Sequence, residues 1–332
     1  PLSCERGAMP RPKDSGENAG RAMASSKWSV WRVCSWWIVV IAIAAGCRRE
    51  VALGSAPVSS SASVIAPTPA APALHEEVVR IPLPLHPPMT LEATIFRPDG
   101  AGPFPLVILD HGAIGKRDPA PRWRPLAHAR WFVSRGFVVL VPMRRGNAAS
   151  DGDWAEGYGP CDNADYTSAN AESASDIRAA LEFATAKPYV DRDRVLLHGY
   201  SAGGLAALAL ASTSPRGVVG VLNFAGGRGS LTGDGGATRH NCSPNALVAA
   251  FSTIGRATHV PVLFLYGEND RFFPPPLAAR LFDAFHAGDP ASSFVKLPAF
   301  AHEGHLIGWR EDAIPLWSDA VDAFLRQLAL GR

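Results

Sequence analysis

The pentapeptide Gly199-Tyr200-Ser201-Ala202-Gly203 stands between a short apolar run, Val195–His198, and a run of small residues from about Ala202 to Ala211. That juxtaposition leaves the chain little freedom. A strand that turns at once into a helix crowds the side chains two positions before and after the turning residue against neighbouring backbone. Glycine at 199 and 203 removes both clashes and leaves the Ser201 hydroxyl exposed at the strand end. The alternative, a serine serving structure only, leaves the paired glycines without a purpose.

The surrounding pattern supplies the sheet that such a turn needs. Val78–Pro82 and Leu91–Phe96 read as an opening antiparallel pair. Strand-like runs then follow at Leu106–Leu109, Phe137–Val141, Val195–His198, Val218–Phe224, Val262–Tyr266 and Phe294–Leu297. Between them lie helical segments at Leu126–Ser134, Ala169–Thr185, Ala202–Ala211, about Leu277–Phe285 and Ile314–Leu328. Short apolar strands separated by helices imply parallel units covered on both faces. Residues 76–332 fit one α/β domain, with no internal repeat. The Gly-rich stretch Ala225–Gly236 is a loop and lacks the Gly-Lys-Ser/Thr ending of a phosphate cradle. A small cap is expected at Gly229–Gly255.

Charge excludes one class of partner. The formal charge is +2, and residues 1–75 carry eight Lys/Arg against four Asp/Glu, so the basicity belongs to the leader. A near-neutral remainder does not bind nucleic acid by neutralising phosphates. A mean hydropathy of +0.04 argues against a polytopic membrane protein.

The first 75 residues read as targeting sequence. Residues 1–22 are an upstream extension before Met23. Lys27 and Arg32 precede the apolar stretch Val33–Gly46, which ends Ala44-Ala45-Gly46-Cys47, so residues 23–46 form an export signal. Small residues before Cys47 resemble a bacterial lipoprotein signal, with lipidation at Cys47, although Ala44 stands where leucine is usual. Cleavage after Ala44 and a retained anchor are the other outcomes. Residues 47–75, rich in Ser, Ala and Pro, are a disordered tether. The expected location is the periplasm or cell envelope, with secretion as the alternative. Export fits the cysteines: Cys161 and Cys242 remain in the domain, an even pair and a disulfide candidate in an oxidising compartment, against two free buried thiols.

With the Ser201 turn in place, most of residues 76–332 resembles the α/β-hydrolase superfamily, and within it dienelactone-hydrolase-like and acyl-peptidase-like serine hydrolases. The resemblance implies an eight-stranded, mostly parallel sheet with helices on both faces, and catalytic residues in the order serine, acid, histidine. Ser201 is then the nucleophile. Asp270, in Gly267-Glu268-Asn269-Asp270 after Val262–Tyr266, is the expected acid, with Glu268 and Asp234 as competitors. His305, directly after Gly304, is the expected base, with His302 as competitor. His302-Glu303 does not open a metal-binding helix, because Leu306 stands where a second histidine is required. No metal and no organic cofactor are expected.

The oxyanion donors implied are the backbone N–H of Ala202 and that of Ala113 after His111-Gly112, with Ile114 second. His111 is expected to shape its loop, and Arg144-Arg145-Gly146 to organise another, with an anion-binding arginine as the alternative. Trp123, Trp154, Tyr158, Phe272 and Trp309 fall in loops or loop borders and are the expected pocket residues. The resemblance implies an esterase acting through an acyl-enzyme on a small or medium ester. A peptidase of the same fold and a noncatalytic binding protein are the alternatives, and a lipid anchor would add membrane association.

Overall fold

The computed structural model describes residues 74–113, 121–229, 241–288 and 291–330. The extension, the export signal, Cys47 and most of the tether lie outside the described residues, as do Ile114 and Asp234. Leu74 and His75, the last tether positions, belong to the folded part. The Leu74 carbonyl accepts the Arg97 N–H at 2.8 Å, and Leu74 packs against the core.

One eight-stranded sheet organises the domain. Its strands are β1 (Glu77–Leu83), β2 (Met89–Phe96), β3 (Phe104–Asp110), β4 (Val138–Pro142), β5 (Val190–Tyr200), β6 (Val218–Phe224), β7 (Val262–Gly267) and β8 (Ser293–Leu297). They lie in the order β1-β2-β4-β3-β5-β6-β7-β8. β1 pairs antiparallel with β2, and β2 with β4; the remaining pairings are parallel. The helices are α1 (Leu126–Val133), α2 (Tyr166–Thr185), α3 (Ala202–Ala211), α4 (Pro244–Ala257), α5 (Pro275–His286) and α6 (Ile314–Gln327).

Alternation along the strands divides the interior in two. On β3, Leu106 and Ile108 join the core shared with α2, α3, α4 and α5. Val107 and Leu109 point the other way, into the core shared with α1 and α6. A central strand so placed has no solvent face, which is why its sequence is apolar from Phe104 to Leu109. α2 begins three residues before its expected start, because the Asp165 side chain accepts the Ser168 N–H at 3.0 Å and caps the first turn.

The expected cap at Gly229–Gly255 is corrected over its described part. Residues 230–240 lie outside the described residues, but Pro244–Ala257 is a helix of the body: Leu247, Phe251 and Ile254 are buried in the core. A Cβ at Gly255 would lie 2.2 Å from the Phe285 carbonyl oxygen, so glycine there lets α4 lie close against α5. The start of α4 is tied down covalently. Cys161 and Cys242 form a disulfide with their Cα atoms 4.6 Å apart, and the Tyr166 hydroxyl donates to the Cys242 carbonyl at 2.6 Å.

Candidate active site

The Ser201 turn has no room for a side chain at Gly199 or Gly203. Ser201 holds φ 54° and ψ −121°, a left-handed conformation costing about 1–3 kcal/mol for a residue with a Cβ. Its neighbours hold it there. Its N–H donates to Phe224 O at 2.9 Å, and its carbonyl accepts from Gly204 at 2.9 Å and Gly227 at 3.0 Å. A Cβ at Gly199 would lie 2.2 Å from Gly203 O, and one at Gly203 2.4 Å from His111 O. These contacts are the physical content of the two glycines.

Three side chains from different loops meet at this turn. Ser201 Oγ lies 3.0 Å from His305 Nε2, and His305 Nδ1 lies 3.1 Å from Asp270 Oδ2. Asp270 follows β7, and its other oxygen accepts the N–H groups of Phe272 at 2.7 Å and Phe273 at 2.9 Å. That pair of bonds fixes the carboxylate plane. His305 lies in the 3₁₀ turn Gly304–Gly308 after β8. Asp270 and His305 are buried, while Ser201 is partly open. The competitors sit elsewhere. His302 is exposed, and Glu268 accepts the Ala299 N–H at 3.1 Å.

Glu303 performs a task that sequence reasoning missed. Its carboxylate accepts the N–H of Arg271 at 2.9 Å and of His305 at 3.2 Å, and it pairs with the Arg271 guanidinium at 2.9 Å. One buried side chain thus laces the loop bearing Asp270 to the turn bearing His305.

A second buried cluster supports the loop after β3. His111 Nδ1 meets Gly112 O at 2.6 Å and its Nε2 accepts the Arg144 N–H at 3.1 Å, so the proton is on Nδ1. Burial, then the adjacent Arg144 cation, lowers its pKa to about 3. His111 is therefore a neutral loop-shaping residue. Arg144 is fully buried, bonded to Asp110, Glu156 and the His111 carbonyl. Arg228 reaches Glu156 at 2.8 Å and Asn170 at 2.9 Å. Burial pushes Asp110 up to about 7 against the pull of Arg144. Burial also opposes the charge on Glu156, but Arg144 and Arg228 outweigh it and hold the carboxyl far below the usual range. Arg144 has no vacancy for an external anion; it braces Asp110-His111-Gly112.

The N–H groups of Ala202, first in α3, and of Ala113 have no backbone acceptor among the described residues. Gly112 abuts the nucleophile: a Cβ there would lie 3.2 Å from Ser201 Cβ. Beside it opens a cavity of about 390 Å3, lined in part by Gly112, Tyr200, Trp123, Trp309, Leu306 and Arg122. Trp123 and Trp309 stack with centroids 5.0 Å apart and 10° between planes. Phe272, expected at the pocket, instead stacks on the His305 ring at 4.3 Å and does not line this cavity. Trp154 and Tyr158, expected at the pocket, do not line this cavity. Their loop is linked to α2 through Arg228, which bonds Glu156 and also Asn170 and Ser173 of α2; Tyr158 packs on Tyr166 at 5.3 Å and Trp154 stays exposed. Tyr200 takes the lining role instead; its position next to Ser201 was the available signal. No cluster of metal ligands occurs among the described residues, and no described helix is long and apolar enough to cross a membrane.

Comparison with known proteins agrees with this architecture. A family model for the X-Pro dipeptidyl-peptidases of the S15 family matches residues 89–247. A curated relative, the polyketide transferase af380 of Aspergillus fumigatus, is 33% identical over 88 residues, which make up 26% of this chain and 27% of the transferase. The match therefore spans about a quarter of that relative's length. A solved Klebsiella pneumoniae protein described as a dienelactone hydrolase superposes with a TM-score of 0.53 at 18% identity, over 77% of this chain and 99% of its own. Est1E of Butyrivibrio proteoclasticus, solved with ferulic acid, gives 0.53 at 16% identity, over 76% of this chain and 99% of its own. Sheet order and these superpositions agree: the chain shares its fold with solved proteins described as a dienelactone hydrolase and as Est1E.

Proposed function

We propose that the protein is a serine hydrolase that cleaves carboxylic esters through an acyl-enzyme. One observation carries the reading: Ser201 Oγ, His305 and Asp270 form a continuous hydrogen-bonded series at 3.0 and 3.1 Å, with the serine at the open end. In this reading His305 Nε2 takes the Ser201 proton as Oγ adds to the ester carbonyl. Asp270 holds the Nδ1–H tautomer and stabilises the imidazolium. The tetrahedral oxyanion rests on the N–H groups of Ala202 and Ala113, each such donor being worth roughly 3 kcal/mol at the transition state. Collapse breaks the bond to the alkoxy group, which leaves with the imidazolium proton. Water, deprotonated by His305, then adds to the acyl-enzyme and releases the carboxylic acid and Ser201.

The chemistry requires no metal or cofactor. The test is covalent. A fluorophosphonate should modify Ser201 stoichiometrically, with loss of ester turnover, and Ser201→Ala should abolish both while retaining the folded spectrum. An adduct on another serine, or turnover that survives in Ser201→Ala, sinks the assignment; a folded protein that neither labels nor turns over supports a binding role.

The match to the X-Pro dipeptidyl-peptidase model favours a peptidase as second reading. That match covers Ser201 but stops short of Asp270 and His305, so it bears on the nucleophile half alone. Comparing a short-chain ester with an Xaa-Pro anilide on the same preparation decides between them. The reading also includes export, supported by the apolar run Val33–Gly46 and by the disulfide. Peptide mass analysis of bacterial material should find an acylated Cys47 as the first residue; an unmodified start at Ala45 would favour release instead.

A further inference from the structure

We propose that the cavity beside Ser201 receives a planar aromatic ring of the substrate, so that the enzyme prefers aromatic esters over aliphatic esters of equal size. The inference rests on the ester-hydrolase reading and deepens it. The cavity starts at the nucleophile, since Gly112 both lines it and abuts Ser201. Its apolar wall is mainly aromatic. Trp123 is buried behind Trp309 in a parallel stack, and Tyr200 follows at 5.7 Å from Trp309 with a 44° tilt.

The Tyr200 ring is held before any ligand arrives. A Cβ at Gly112 would come within 3.0 Å of one edge of the Tyr200 ring, and a Cβ at Gly308 within 2.9 Å of the other. Backbone therefore grips the ring from both sides. A wall fixed in this way loses little conformational freedom on binding.

The charged part of the lining speaks against a long alkyl chain. Arg122 and Arg124 make it up. Arg122 stands 3.7 Å from Glu92 and 3.9 Å from Glu76, too far for direct hydrogen bonds. The Arg124 guanidinium is hydrogen-bonded to the Glu76 carboxylate through Nε and Nη2, but an alkyl chain laid over that of Arg122 would strip its water without replacing it. An aromatic ring offers its negative face to the cation and to the indole edges. The volume, about 390 Å3, lies in the range of small-ligand pockets and suits one ring on a short linker.

The test uses pairs matched in size and intrinsic reactivity: methyl 3-phenylpropanoate against methyl 3-cyclohexylpropanoate for a ring on the acyl side, and benzyl acetate against cyclohexylmethyl acetate for a ring on the alcohol side. The aromatic member of at least one pair should have a kcat/KM about three- to tenfold higher, the usual worth of ring–ring contact beyond burial. Trp309→Leu should bring that ratio to within about twofold of unity, and Trp309→Phe should restore it. Equal or inverted ratios in both pairs, or a preference that survives Trp309→Leu, overturn the proposal while leaving the hydrolase reading intact. Should neither pair be turned over and Ser201 resist labelling, the hydrolase reading fails instead. Binding then decides the ring preference: indole fluorescence of Ser201→Ala titrated with the same four esters should still favour the aromatic members, and no difference refutes it.

Discussion

Two histidines are buried in an aromatic part of the core with no charged described residue beside them. Among the described residues, His198, on β5 three residues before Ser201, has no hydrogen-bond partner for either ring nitrogen, and His128, on α1, has none for Nε2. Their rings stand 6.3 Å apart among Phe132, Phe224 and Trp317. Burial lowers His198 to about 3, with the neighbouring His128 adding to the effect, and burial lowers His128 to about 4. Both values lie below the roughly 6.5 of an unfolded histidine. The unfolded chain therefore binds protons that the folded chain refuses, and stability is lost as pH falls below about 6.5 toward the folded values. Between pH 7 and pH 5 each histidine costs the fold roughly 2 kcal/mol, about 4 for the pair. That is a large share of the 5–15 kcal/mol typical of a domain. The perturbation is the double variant His128→Leu/His198→Leu, which removes the titration and keeps the core apolar. Urea unfolding at pH 7, 6 and 5, followed by circular dichroism, should show a loss smaller by about 4 kcal/mol than in the wild type. His111, likewise buried and neutral, remains in both proteins and cancels from the comparison. An identical pH 7-to-5 difference in the two proteins would refute the reasoning.

Three further outcomes are expected. His305→Ala should lower ester kcat/KM by at least about 10³, whereas His302→Ala should retain more than half; equal rates for the wild type and His305→Ala would reject the base assignment. Arg144→Met should destabilise by about 3–5 kcal/mol, because it strands the buried carboxyls of Asp110 and Glu156; a denaturation midpoint near that of the wild type would show that the cluster carries no such strain when broken. Cys161→Ser/Cys242→Ser should lose up to about 4 kcal/mol, as expected for a closed loop with a separation of 81, and the loss should match that produced by full reduction of the wild type. Unchanged unfolding of the double serine variant would contradict it.

What could be read beforehand was local. Gly199 and Gly203 are neighbours of Ser201 in sequence, and their clashes are with backbone a few residues away or at the adjacent strand end. The inner strands β3, β4, β6 and β7 announce themselves because burial on both faces favours apolar side chains. The supporting ions were not legible, since Arg228 meets Glu156 across 72 positions and Glu303 meets Arg271 across 32. No motif marks such pairs. Position in a loop also says nothing about which side of the sheet a ring will face, so Trp123 and Trp309 could not be separated from Trp154 and Tyr158. In α4, Leu247, Phe251 and Ile254 have helical spacing with Pro244 at the start, but the adjoining glycine-rich run drew the segment into an expected cap.

The Cys161–Cys242 bond divides the domain along lines that the sheet does not show. It closes a covalent ring around α2, β5, the Ser201 turn, α3 and β6, and leaves Asp270 and His305 on the open chain beyond. A single backbone cut anywhere inside the ring leaves both fragments joined, so nucleophile, acid and base stay on one molecule. A cut between α4 and β7 has no such safeguard and releases the segment carrying acid and base to noncovalent contacts alone. Damage tolerance is therefore unequal along the chain, and in its oxidised form the protein survives nicking best around its nucleophile.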